Sequence, residues 1–164
     1  MATAIETSTA LIEHHLSIAG KLIVNATACD VILYSAFKVI SDCKSKIANA
    51  IYFSSETLNV KRNFITRILR VNDDKKVTKI VERIIAATEK ATNQRNELSH
   101  ALIQVSGDKL LRVNPRHQGQ SGKPITGSFL DGLLRHSTRA HIDALRAFHE
   151  LCLKRGIPPS ITHE

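Results

Sequence analysis

Residues 93–102 read NQRNELSHAL and hold three side chains suited to phosphodiester chemistry: Arg95, Asn96 and His100. An imidazole titrates near neutral pH, so it can take the proton of an RNA 2′-hydroxyl or protonate a leaving 5′-oxygen. A guanidinium can hold two phosphate oxygens at once and offset charge growing on a phosphorane. An asparagine can orient either group. Such a reaction needs no metal or other cofactor, and it leaves a 2′,3′-cyclic phosphate and a 5′-hydroxyl.

These residues fall late in a segment with helical periodicity, running from about residue 74 to 102. Its apolar stripe is Val77, Ile80, Val81, Ile84, Thr88, Ala91, Leu98 and Leu102. At about 100° per residue, Arg95 lies within about 20° of the line through Ile84, one turn from both Ala91 and Leu98. An arginine there needs a carboxylate, a phosphate, a neighbouring subunit or a wet cleft. Asn96 and His100, four apart, share a different face, roughly 120° to 160° from the stripe. In one straight helix Arg95 and His100 therefore converge poorly. Either the helix loosens or ends near His100, or two copies of the chain assemble one site. A second match to the same spacing, Arg112 to His117, straddles Pro115 in a loop and lacks the helical setting.

The remaining sequence must position this motif. The chain has 164 residues, 43% hydrophobic with 4% aromatic and no tryptophan. That predicts one domain whose core is aliphatic, as in packed helices. Helical patterns span about 8–41, as one helix or as two joined near Asn25, then 44–54, 54–71 and 128–154. Ser41-Asp42 reads as an ending and as a cap for the next helix, and SSE at 54–56 as a cap for the third. Asp73 and Asp74 suit the start of the motif helix, and Gly156 with Pro158 and Pro159 stops the last. Between the motif helix and the last one the texture turns Gly-, Pro- and Ser-rich. Ser106-Gly107-Asp108 is placed to turn a small hairpin, and NPRHQGQSGKP reads as a mobile loop. The expected fold is all-α: a four- to five-helix up-and-down bundle, one domain over 1–164, with a flexible excursion at about 104–127 and a tail at 156–164.

The formal net charge is +8, which favours polyanionic partners, nucleic acid first. Arg112, Arg116 and Lys123 in the excursion are candidate RNA contacts. The basic helix KRNFITRILR at 61–70 reads more readily as a solvated face. Three cysteines without CxxC spacing argue for buried free thiols in a reducing cytoplasm. The N-terminus lacks a secretory pattern, and Lys21, Asp30 and Lys38 interrupt the most apolar run, so no membrane association is expected.

RNELSH, late in a long helix and ahead of a final helix, resembles the motif of the HEPN superfamily, all-α domains marked by Arg, commonly Asn after it, and His a few positions on. The resemblance covers the architecture from about 10 to 155, and its specific part is Arg95, Asn96 and His100. It implies a metal-independent endoribonuclease acting on RNA. It also implies a homodimer with a composite site between protomers, and a toxin or defence role in which an antitoxin protein is a partner. His100 would be the acid/base, Arg95 the phosphate contact and Asn96 the positioning group. Other members of that superfamily are non-catalytic and bind RNA or protein. Another reading pairs Arg95 with Glu13 or Glu56 and makes it a packing element.

Overall fold

The computed structural model describes residues 2–99, 102–106, 109–113 and 122–158. It is an all-α bundle of five helices: α1 (Ala2–Ser41), α2 (Ser45–Phe53), α3 (Leu58–Val71), α4 (Lys75–Ser99) and α5 (Gly127–Arg155). Between α4 and α5 the chain forms β1 (Leu102–Ser106), β2 (Lys109–Val113) and β3 (Lys123–Pro124). These make a small antiparallel sheet in the order β1-β2-β3.

α1 is one helix, about 60 Å long at 1.5 Å per residue. Asn25 does not break it, because its amide reaches across to Thr138 Oγ1 on α5 (3.3 Å) instead of capping. Asp42, at φ 51°, ends α1 in the left-handed region that short acidic and amide side chains tolerate. The expected caps are partly displaced. No side chain caps α2, and Thr57 rather than the SSE run caps α3, accepting from Val60 N at 3.4 Å. Asp74 caps α4, accepting from Lys76 N (2.9 Å) and Val77 N (3.1 Å). Those amide bonds hold its carboxyl below the usual carboxylate range. Gly156, at φ 66°, closes α5 with its N–H on the Cys152 and Leu153 carbonyls.

The core falls into two clusters. The larger joins the C-terminal halves of α1 and α5 to the N-terminal two-thirds of α4 and to α2 and α3, around Cys29, Leu33, Ile65, Ile84, Ala91 and Leu151. The smaller gathers Ile18, Leu22, Leu98, Leu110, Ile125, Leu130 and Leu133 where the sheet covers the other end. Cys29 and Cys152 are buried thiols, while Cys43 is only half-buried. Burial and the neighbouring Asp30 push the Cys29 thiol up to about 11.

One part of the basic 61–70 segment departs from the expected solvated face. Lys61 is buried, with 7% of its surface exposed. Its ammonium sits on Asp30 Oδ2 (2.8 Å) and Oδ1 (3.1 Å), 4.5 Å from the centre of the Tyr52 ring. Tyr52 donates its hydroxyl to the same carboxylate at 2.8 Å, and burial first, then Asp30, push its pKa upward. The trio ties α3 and α2 to α1. Asp30→Ala strands the ammonium among aromatic rings and is expected to lower unfolding stability by about 2–3 kcal/mol. Urea denaturation checks this, and a loss below about 0.5 kcal/mol would show that water replaces the carboxylate without cost.

α1 also contains a stretch, Thr9–Ser41, long and apolar enough to cross a membrane by length and composition alone. Its four charged residues, Glu13, Lys21, Asp30 and Lys38, do not lower the mean hydropathy enough to exclude that. In the bundle one face of this stretch is the spine of both clusters.

Candidate functional site

α4 forms because its apolar residues recur at helical spacing and Asp74 starts it. Val77, Ile80, Val81, Ile84, Thr88, Ala91 and Leu98 are all buried, as the stripe requires. Thr88 is fully buried and satisfied, its hydroxyl bonding the Ile84 carbonyl (2.9 Å) and the Cys29 carbonyl of α1 (3.3 Å). Leu102, expected to extend the stripe, is instead the first residue of β1.

Arg95 sits where the two clusters part. Ala91, one turn before it, belongs to the larger cluster, and Leu98, one turn after, to the smaller. The side chain is half-buried. It curls off the stripe onto its neighbour: Arg95 Nε and Nη2 both donate to Asn96 Oδ1, at 3.1 and 2.8 Å. Arg95 and Asn96, about 100° apart on the helix, are thereby joined. A guanidinium has five N–H donors, and this contact uses two. Among the described residues no carboxylate pairs with Arg95, and neither Glu13 nor Glu56 reaches it.

The nearest acid in sequence, Glu97, is engaged elsewhere. It forms an ion pair with Arg112, which also reaches the Glu97 carbonyl at 3.4 Å and lies over the Phe129 ring, 5.2 Å from its centre. Arg112 is therefore not in flexible loop backbone. It belongs to β2, opposite Ile103 on β1 and Lys123 on β3. Its charge locks the sheet to the last turn of α4. The sequence reading missed this pair. The only local hint was geometric: residues two apart on a helix do not face each other, so Glu97 was never placed to neutralise Arg95.

Lys123 is exposed on β3, where its ammonium is open to solvent. The sheet that carries it is anchored by buried Leu110 and Ile125, with Ile125 N bonded to the Leu110 carbonyl at 2.8 Å. Gly122 fits against β2 only because it lacks a side chain, since a Cβ there would meet Leu111 Cβ at 2.9 Å. His100 and Arg116 lie outside the described residues, His100 between the end of α4 at Ser99 and the start of β1 at Leu102.

The polar level continues across the bundle. Asn25 on α1 lies between Leu22 and Ala26, and Ser137 on α5 between Leu133 and Ala140, again where one cluster gives way to the other. Ser137 Oγ is buried without a hydrogen-bond partner among the described residues. No protein-family model, curated protein or solved structure matches this chain.

Proposed function

We propose that the protein is a metal-independent endoribonuclease of the HEPN type. One observation supports this above the others. Arg95 stands in line with a buried stripe, is steered by Asn96, and keeps its charge uncompensated among the described residues. A packing arginine at that depth would be expected to have a carboxylate. A phosphate-binding one keeps its charge for the ligand.

In the proposed reaction the RNA 2′-oxygen attacks the adjacent phosphorus. The bond from 2′-oxygen to phosphorus forms and the bond to the 5′-oxygen breaks. His100 takes the 2′-hydroxyl proton or supplies one to the leaving oxygen, with water handling the other transfer. Arg95 holds the non-bridging oxygens, and Asn96 fixes the guanidinium plane by accepting from two of its N–H groups. Lys123 offers a further phosphate contact on the sheet, and the net charge of +8 draws the strand in.

Incubating the purified protein with mixed RNA in excess EDTA tests this. Shortened products with 2′,3′-cyclic phosphate and 5′-hydroxyl ends are expected. Tight, salt-dependent binding without cleavage would instead make the protein a non-catalytic RNA-binding module.

A further inference from the structure

α1 and α5 run parallel, since His14 Nε2 meets Asp131 Oδ1 at 3.3 Å and the Asn25 amide meets Thr138 Oγ1 at 3.3 Å. Between them lies an apolar groove of about 420 Å³, walled by Val24, Thr27, Val31 and Ile32 of α1 and by His141 and Leu145 of α5. On α1 the groove opens onto the side turned away from the core. At about 100° per residue, Leu16, Val24, Thr27 and Val31 fall within about 40° of a line opposite Cys29, whose carbonyl accepts the Thr88 hydroxyl of α4. Leu16 is 64% exposed and Val24 65%. Past Leu145 the apolar surface continues through exposed Ile142 and Leu153. An exposed apolar patch spread over two helices marks a contact surface.

Cations frame this patch at both ends. The Asn25–Thr138 contact sets Lys21 level with Arg135 before the groove, and on the same register Arg146 and Lys38 fall past Val31. On α5, Arg135 and Arg146 lie within about 40° of Ile142, so they share its outward side. Lys21, Arg135 and Arg146 are exposed and form no ion pair among the described residues. Lys38 rests by the Tyr34 ring, 5.9 Å from its centre. The acids lie elsewhere. Asp143 pairs with Arg139 and Glu150 with Arg83, while Glu13 and Asp131 sit before Lys21, toward the start of each helix. Asp30 turns inward to Lys61 and Tyr52.

We infer that the α1–α5 face docks peripherally on an anionic phospholipid surface. Its apolar centre enters the acyl boundary, and the long basic side chains around it reach the lipid phosphates. This departs from the expectation of no membrane contact, because Lys21 and Lys38 flank the apolar surface and Asp30 leaves it. α1 lies along the membrane and does not cross it, since its opposite face is held by the Asp30–Lys61 pair and by both core clusters. α4 packs on the far side of α1, so docking leaves the helix that carries Arg95 turned away from the lipid. The inference goes beyond the nuclease reading and does not rest on it.

Co-sedimentation of the full-length protein with vesicles tests this. Wild type is expected to pellet with phosphatidylcholine and phosphatidylserine mixed about two to one, and to bind pure phosphatidylcholine at least about tenfold more weakly. Salt at about 1 M is expected to release it, because the cations are then screened. Arg135→Gln combined with Arg146→Gln is expected to weaken binding roughly 30-fold, since each surface cation contributes about fivefold near an anionic leaflet. Val24→Asp, at an exposed position, is expected to weaken it about tenfold or more with an unchanged circular dichroism spectrum. No binding, equal binding to both vesicle types, retention at high salt (an inserted helix), or variants that bind as wild type does would each overturn the inference. So would a protein that ignores vesicles and whose light-scattering mass falls on Val24→Asp, which would make the face a contact between copies. RNA cleavage is not a readout in any arm, so failure here leaves the nuclease reading standing.

Discussion

His100→Ala protein is expected to bind RNA as wild type does and to cleave it roughly 100- to 10,000-fold more slowly, the usual contribution of a positioned acid/base. The separation of the two readouts carries the argument. Loss of an imidazole that only added charge would lower affinity and leave the rate of the bound complex unchanged. Loss of an imidazole that moves a proton lowers the single-turnover rate and leaves affinity in place. Loss of cleavage with a preserved melting temperature is the expected pair of results, since proton transfer is separable from folding. A variant that cleaves at the wild-type rate would remove His100 from the mechanism.

Arg95 gives the second large effect, and here the conservative substitution is the informative one. Arg95→Lys keeps the charge but loses the planar fork, and with it both the two-point grip on phosphate and the paired contact to Asn96 Oδ1. The expected loss in single-turnover rate is roughly 100-fold, with RNA affinity changed by less than about tenfold. Arg95→Ala is expected to lose the rate and also to flatten the salt dependence of binding by about one phosphate contact. Because Arg95 is half-buried and has no ion pair among the described residues, both variants should remain within about 1 kcal/mol of wild-type stability. Were Arg95 a packing element, the order would reverse: stability would fall and the cleavage rate of the folded fraction would hold.

Much of this arrangement is legible in the sequence because it is local. The α4 stripe is a periodic pattern, and every member from Val77 to Leu98 is buried as that pattern demands. β1 and β2 pair antiparallel with Ser106 opposite Lys109, as the two apolar runs on either side of Ser106-Gly107-Asp108 suggest. The all-α bundle with a hairpin before the last helix follows from the same signals. The parts that were not legible are those set by long-range pairing. Lys61 reads as one more surface cation until α3 folds against α1 and brings Asp30, 31 residues earlier, to its ammonium. Arg112 reads as a loop cation until β2 crosses the end of α4 and meets Glu97. Asn25 reads as a potential break in α1 until Thr138 of α5 takes its amide. In the motif itself, spacing set Arg95 and Asn96 on different faces, and the length of the arginine stem closed that gap.

Those long-range pairs also bear on which cations are free to meet RNA. Arg112 and Lys61 are consumed by the fold, while Arg95 and Lys123 have no ion pair among the described residues. The functional reading thus rests on Arg95 and on what the sequence places after it, more than on the basic character of the chain.

The claim at the centre of this account is that the RNA's own 2′-hydroxyl is the nucleophile. It is tested most directly with an oligoribonucleotide that the protein cuts at a known position, compared with the same strand carrying a single 2′-deoxy residue 5′ to that bond, both in excess EDTA. The account predicts that the all-ribose strand is cut to a 2′,3′-cyclic phosphate and that the substituted bond survives intact while neighbouring bonds remain cleavable. Cleavage of the substituted bond at the original rate would contradict it, because attack would then come from water rather than from the substrate.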